Sequence, residues 1–335
     1  MRVAGRGEGS LIWIQLAIGM VLLLGGGEAL VRGSVGVAIR LDISPLVIGL
    51  TLVGFGTSAP ELVACIQAAL AGAPGIAVGN IVGSNIANIL LILGVAAVIT
   101  PIVTTREAFG RDGSVLIAAS LALLAAVLAG TIGRWTGAAL IAMLAGYLGY
   151  TYVTERSTPD AAAQVYAAEV EEVAPRTASL AILLLLALGG IAGVVVGADL
   201  LVDAAIAVAR DFGVSEAVIG LTLVAVGTSL PELATSVVAA FRRHGDVAFG
   251  NILGSNIFNA LGITGATALV MPIAVPDEII RLDVWVMMAT AVLLVVFAVT
   301  GWRVSRREGA VCLIAYGAYL AVQLSPGVRQ WLGLG

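Results

Sequence analysis

The sequence predicts an all-α integral membrane protein of ten transmembrane helices, built as two five-helix inverted-topology repeats. The first observation behind this is composition: 60% of the 335 residues are hydrophobic, only 11% are charged, and the mean hydropathy is +1.07. Soluble domains carry about 25% charged residues, so the solvent for most of this chain is lipid. The second is a series of continuous apolar runs, each near the roughly 20 residues that cross a hydrocarbon core of about 30 Å. The third is an internal duplication. Residues 49–60 (GLTLVGFGTSAP) return as 220–231 (GLTLVAVGTSLP), and residues 79–85 (GNIVGSN) as 250–256 (GNILGSN).

Along the chain the runs fall at 11–31, 46–70, 79–100, 114–130 and 136–153, then at 179–203, 217–241, 248–272, 284–300 and 309–324. None alternates with the period of two that a barrel strand needs, so helices are expected throughout. Arg2 and Arg6 precede the first run, as in a secretory leader. That run is long, passes into Gly25-Gly26-Gly27-Glu28 and lacks an A-x-A site, so it is read as a helix. The longest connection is an acidic segment over 154–178, with Glu169, Glu171 and Glu172; it separates a first repeat (1–153) from a second (179–335).

All 17 basic residues are Arg. Counted in alternate loops, Arg2, Arg6, Arg134, Arg210, Arg281 and Arg329 share the side of both termini, and the other eleven, including Arg303, Arg306 and Arg307, lie opposite. The positive-inside rule then puts both termini outside and the acidic segment in the cytoplasm. A net charge of −4 without a clustered basic face argues against nucleic acid as a partner. Cys65 and Cys312 lie in separate runs without metal-type spacing and are read as packing residues. His244, after Arg242 and Arg243, is read as a loop residue. The sequence carries no signal for an oligomeric state.

The duplication holds a constant offset of 171, which maps Glu61 onto Glu232, Asn88 onto Asn259 and Pro101 onto Pro272; 27 of the 53 positions from Gly49 to Pro101 are identical to their partners. An odd number of spans per half inserts the second copy from the opposite face. Halves related in this way can exchange conformations and open a site between them to each side in turn, which points to a transporter.

Glu61 and Glu232 lie inside apolar runs, where an ionised carboxylate costs at least about 2.5 kcal/mol. No Arg in those runs stands near either, so protonation or a bound cation must compensate. The neighbours favour the cation. A helical spacing of four places Thr57 with Glu61, Thr228 with Glu232, Ser84 with Asn88 and Ser255 with Asn259 on shared faces, and every one of these groups offers oxygen. Pro60 and Pro231 cannot donate an N–H, which releases carbonyls around Gly56-Thr57 and Gly227-Thr228. Two carboxylates with hydroxyl, amide and carbonyl oxygens suit a hard cation such as Ca2+. Thiolates or imidazoles for a softer metal are missing, and Mg2+ holds its water too firmly. Gly79, Gly83, Gly250 and Gly254 are read as close-contact positions between helices.

The stretches GTSAPE (56–61) and GTSLPE (227–232), each followed by GNIxGSNIxN (79–88 and 250–259), resemble the two alpha repeats, here 49–101 and 220–272, of the sodium/calcium exchanger family within the cation/calcium antiporter superfamily. The resemblance covers nearly the whole chain. It implies a prokaryotic-type antiporter of the inner membrane that exchanges Na+ for Ca2+ by alternating access, with both ions as transported substrates, no cofactor and no enzyme activity. Carried over by position, it makes Glu61 and Glu232 the central carboxylates, joined by the backbone carbonyls of Thr57 and Thr228. Ser58, Ser229, Ser84 and Ser255, with the carbonyls of Gly54 and Ala225, complete flanking Na+ sites, and Asn88 and Asn259 line the middle. The first and sixth runs become sliding helices, with Glu28 and Asp199 near their ends as gate or cap residues.

Several members place Asp where this chain has Asn259, and in the K+-dependent branch that carboxylate is associated with K+ use, so Asn here implies K+-independent exchange. The connection at 154–178 is too short for a folded Ca2+-sensing domain. Exchange is electrogenic if three or more Na+ move against one Ca2+. The rival reading is H+/Ca2+ antiport, in which both glutamates load protons; the additional Ser and Asn oxygens lean towards Na+. An intramembrane enzyme lacks a nucleophile and a zinc ligand set, and a passive cation channel conducts without a counter-ion.

Overall fold

The structure, a computed structural model, describes residues 6–41, 54–103, 106–157, 178–243 and 245–333. The chain opens with α1 (Arg6–Arg40), breaks at Ser58 between α2 (Gly54–Thr57) and α3 (Ala59–Leu70), and runs on through α4 (Pro74–Ala87), a π-helical turn at Asn88–Ile92 and α5 (Leu93–Ile99). Then come β1 (Ile102–Val103), α6 (Arg106–Leu128), β2 (Thr131–Ile132) and α7 (Arg134–Ser157). The second half repeats this order. Helix α8 (Leu180–Phe212) precedes α9 (Glu216–Ile219), a π turn at Gly220–Val224, α10 (Ala225–Thr228) and α11 (Leu230–Phe241). Helix α12 (Gly245–Ile257), a π turn at Phe258–Ile263 and α13 (Thr264–Val270) lead to β3 (Ile273–Ala274). A π turn at Ile279–Asp283 opens α14 (Val284–Val299), followed by β4 (Arg303–Val304), α15 (Arg306–Leu324) and α16 (Pro326–Trp331).

Six stretches among the described residues are long and apolar enough to cross a membrane: Leu11–Arg40, Pro74–Ile99, Arg134–Val153, Leu180–Phe212, Val247–Val270 and Ile279–Val299. The pair Glu216–Thr228 and Leu230–Phe241, bent by 47°, makes a seventh. Ala59–Leu70 and Asp112–Leu128 are apolar but shorter. The protein is therefore a mostly helical, multi-pass membrane protein. Residues 46–53 of the second expected run, His244 and most of the acidic segment lie outside the described residues.

The two motif-bearing stretches form the centre. Over an 18-residue stretch of each, 83% of the residues are buried in Pro74–Ile99 and in Val247–Val270, against 28% in Leu11–Arg40 and 22% in Leu180–Phe212, which places the long helices at the periphery. Their outward side chains, among them Trp13, Ile14, Ile18, Leu185 and Leu188, are exposed in the manner of a lipid-facing surface. Matched elements make matched contacts. Gly94 of α5 meets Gly309 of α15, and Gly265 of α13 meets Gly137 of α7. Strand β1 pairs with β4 and β2 with β3, both antiparallel. These two-residue ladders are the exception to an expectation of helices throughout.

The peripheral helices correct a second expectation. They run to Arg40 and Phe212, well past the anticipated ends at 31 and 203, so Glu28 and Asp199 lie inside helices. Gly25-Gly26-Gly27 lies within α1, and at Gly26 the contact with α8 requires a residue without a side chain. A Cβ on Gly26 would stand 2.6 Å from Val194 N, and one on Gly190 would stand 2.3 Å from Leu30 N. Exposed Glu28 accepts a hydrogen bond from Arg32, one turn on, at 2.5 Å.

Candidate ion-binding site

The site is built at two interrupted helices. Ser58 (φ −92°, ψ 8°) and Ser229 (φ −84°, ψ 10°) leave helical geometry, and Pro60 and Pro231 stand in the first turn of α3 and α11. A missing N–H is harmless at that position, so proline restarts the helix there. Glu61 and Glu232 follow in the same first turns, where the partial positive charge of a helix N-terminus favours an anion.

The break overturns the shared-face argument for the threonines. Thr57 and Glu61 lie on opposite sides of it, as do Thr228 and Glu232, so a helical spacing of four does not join them. The Thr228 hydroxyl stands 3.0 Å from both Asn80 Oδ1 and the Val224 carbonyl, and Glu232 is not among its partners. Thr57 ends α2 half-buried.

The carboxylates converge. Glu61 and Glu232 are each 1% exposed. Ser229 Oγ donates to Glu61 Oε1 at 3.0 Å, and Ser58 Oγ donates to Glu232 Oε1 at 3.0 Å, so the serine beside one glutamate holds the other. The second oxygens, Glu61 Oε2 and Glu232 Oε2, are buried without a hydrogen-bond partner, as are both amide atoms of Asn88 and of Asn259. Buried polar atoms are nearly always paired, so these unpartnered atoms are the candidate ligand positions. Among the described residues no Arg pairs with either glutamate, and no group of three or more His, Cys, Asp or Glu forms. The donor set is two carboxylates plus neutral oxygens.

Asn88 and Asn259 lie in π turns, a distortion found often at functional sites. Ser84 and Ser255 are buried, and Ser84 Oγ donates to Asn80 Oδ1 at 3.3 Å. Gly54 and Ala225 begin α2 and α10; the Ala225 carbonyl accepts from Ser229 N at 3.1 Å and so is directed at the break.

Asn80 and Asn251, which sequence reasoning passed over, stand against the backbone of the two glutamates. Asn80 Nδ2 lies 3.5 Å from the Glu61 carbonyl and 3.2 Å from Cys65 Sγ. Asn251 Nδ2 lies 3.3 Å from the Glu232 carbonyl and 3.0 Å from Ser236 Oγ. Their signal was the same as that of Asn88 and Asn259: a buried amide recurring at the repeat offset.

The halves differ in exposure. Gly79, Asn80 and Gly83 are buried, and a Cβ on Gly79 or Gly83 would stand 2.7 Å from the carbonyl of Ala217 or Leu221, so α4 packs tightly on α9 and the turn after it. The matched Gly250 and Gly254 are exposed and Asn251 is half-buried. The expectation of buried helix contacts thus holds for the first pair of glycines and fails for the second in this conformation.

A buried oxygen cage between matched halves of a helical membrane bundle defines an ion transporter. The chain matches the family described as "Sodium/calcium exchanger protein" over residues 11–153 and 182–325, and it belongs to that family. It is 35% identical to the putative antiporter CaxA of Alkalimonas amylolytica over 311 residues, covering 91% of this chain and 96% of that protein. It is 33% identical to the sodium/calcium exchanger MaX1 of Methanosarcina acetivorans over 344 residues, covering 92% and 97%. A solved structure of the sodium-calcium exchanger NCX_Mj, soaked with 2.5 mM Na+ and 0.1 mM Ca2+, is similar with a TM-score of 0.62 and 31% identity, over 93% of this chain and 98% of that one. The protein is an ion antiporter and not an enzyme.

Proposed function

We propose that the protein is a secondary active antiporter that exchanges Na+ for Ca2+, independently of K+ and with net charge moved. The observation that carries this reading is the pair Glu61 and Glu232, each fixed through one oxygen by the opposite half and each with its other oxygen unpaired in a buried cage. Ca2+ takes six to eight oxygens at about 2.3–2.6 Å. Glu61, Glu232, the amide oxygens of Asn88 and Asn259 and the carbonyls of Thr57 and Thr228 supply that number. Na+ uses the same carboxylates with Ser58, Ser229, Ser84, Ser255 and the carbonyls of Gly54 and Ala225. Because the oxygens overlap, the ions exclude each other.

Coupling follows from charge. Two carboxylates in a low-dielectric core are tolerable when cations neutralise them, so the loaded forms change sides and the empty form does not. Ten crossings in two oppositely inserted repeats supply the motion, with both termini outside, the segment 154–178 in the cytoplasm, and the inner membrane as the location. In that orientation the exposed side at Gly250 and Gly254 faces the cytoplasm. The neutral Asn259 leaves no third carboxylate for K+.

Reconstituted vesicles loaded with Na+ test the reading: radioactive Ca2+ uptake is expected with internal Na+, and neither internal K+ nor a proton gradient replaces it. Uptake driven by a proton gradient alone assigns the glutamates to H+/Ca2+ antiport instead.

A further inference from the structure

We propose that Asn80 and Asn251 form a reciprocal latch, each in turn binding the threonine of the opposite half, Thr228 or Thr57, and thereby fixing which side of the ion cage is shut. The inference rests on the exchange reading and adds positioning residues that do not themselves hold the ion.

Each asparagine has one bond within its own half and one position for a bond across. The own-half bond is present twice: Asn80 Nδ2 to the Glu61 carbonyl at 3.5 Å and Asn251 Nδ2 to the Glu232 carbonyl at 3.3 Å. The cross bond is present once. Thr228 Oγ1 shares its one proton between Asn80 Oδ1 and the Val224 carbonyl, each at 3.0 Å, whereas among the described residues Thr57 makes no bond to Asn251. The difference follows exposure: Asn80 and Thr228 are 1% and 0% exposed, while Asn251 and Thr57 are half-buried.

The residues themselves are the same at both places, Gly-Thr-Ser before the proline and Gly-Asn-Ile opening the partner stretch. The chemistry for the second bond is therefore available whenever α2 approaches α12 as α10 now approaches α4. On the sealed side water is excluded and the bond satisfies both groups. On the exposed side water replaces the partner, so opening leaves no orphan. Exchanging one such bond for its counterpart keeps the two states close in energy while holding each one shut. Ser84, which donates to Asn80 Oδ1 at 3.3 Å, orients the acceptor on the sealed side.

The test uses the full chain with Cys65→Ser and Cys312→Ala and a single reporter, Leu221→Cys, which lies fully buried beside Gly83 on the sealed side. Its alkylation rate is read on purified protein without Na+ or Ca2+. Loss of one buried hydrogen bond shifts a two-state balance by about fivefold. Asn80→Ala is expected to raise the rate by that factor. Asn251→Ala, at a half-buried position, is expected to lower it, because it weakens the alternative state. Unchanged rates in either variant, or shifts of the two in the same direction, overturn the latch. No transport is needed for the readout. Opposite shifts in a protein that fails to exchange Na+ for Ca2+ sink the exchange reading and leave the latch standing, and intact exchange without the shifts does the reverse.

Discussion

Ser58 donates its hydroxyl across the duplication to Glu232, and Ser229 returns the bond to Glu61 at the same 3.0 Å. Each carboxylate is thus aimed by the half to which it does not belong, and its unpaired oxygen is left for the cage. Hydrogen bonds to charged groups are worth about 1.5–3 kcal/mol. Ser58→Ala and Ser229→Ala are each expected to raise the Na+ concentration for half-maximal Ca2+ exchange about tenfold, by similar amounts. A tenfold disparity between them in a vesicle flux titration would show that the serines do different work.

The glutamates themselves admit no substitute. Glu61→Gln or Glu232→Gln keeps shape and hydrogen bonding and removes the charge that attracts a divalent ion. Exchange is expected to fall at least a hundredfold, with an unchanged elution profile in detergent as the check on folding. Wild-type flux in both variants contradicts the assignment.

Asn259 separates stability from binding. Both of its amide atoms are buried and unpaired, a burden that apolar replacement relieves. Asn259→Leu is therefore expected to raise the melting temperature of the ion-free protein, by about 1–3 kcal/mol of relief, and to abolish the further rise on adding Ca2+. Thermal unfolding with and without Ca2+ decides it; a variant less stable than wild type without ions shows that the amide is paired in the ion-free protein.

Much of this was legible in the sequence because lipid makes it so. A carboxylate in an apolar run has few excuses, and its recurrence 171 residues later marked Glu61 and Glu232. What escaped depended on three-dimensional approach. The first and sixth runs are read as ending at 31 and 203, because the contact between α1 and α8 that goes with their extension to Arg40 and Phe212 leaves no mark in local hydropathy. The threonine hydroxyls were placed beside the glutamates by a helical spacing that the breaks at Ser58 and Ser229 cancel. Asn80 and Asn251 have no carboxylate one helical turn away to single them out, and their bonds to the Glu61 and Glu232 carbonyls appear only in three dimensions. The inequality of the halves has no signature, since Gly79 and Gly250 occupy nearly the same local sequence and differ only in what packs on them.

Adjacent glycines in α1 predict opposite outcomes. Gly25 is exposed, with nothing within 4 Å of an added Cβ, whereas the same atom on Gly26 would meet Val194 N at 2.6 Å and the Gly193 carbonyl carbon at 2.8 Å. Gly25→Ala is expected to be neutral or to stabilise by up to about 1 kcal/mol through helix propensity. Gly26→Leu forces the peripheral pair apart and is expected to cost about 3 kcal/mol or more, near the upper end for overpacking. Melting temperatures in detergent rank the two, and equal values contradict the backbone-to-backbone contact.

A charged network fastens the last helix. Asp283, 1% exposed, accepts from Tyr319 at 3.0 Å and from Gln323 Nε2 at 2.5 Å; Gln323 Oε1 accepts from Arg329 Nη1 at 2.6 Å, and Arg329 also pairs with Glu278. In the first half Asp112 accepts in the same way from Tyr147, at 3.1 Å. Removing one member of a buried pair costs about 3–5 kcal/mol because the other is stranded, and the residual exposure of Glu278 and Arg329 brings the expectation down to about half of that. Arg329→Met is thus expected to lower the melting temperature by several degrees, since 1 kcal/mol corresponds to roughly 2–4 °C in domains of 150–250 residues. Adding Glu278→Met removes the stranded charge and restores part of the loss. A double variant that loses the sum of the two single effects shows that the pair is not coupled, and a double-mutant cycle by thermal unfolding makes the distinction.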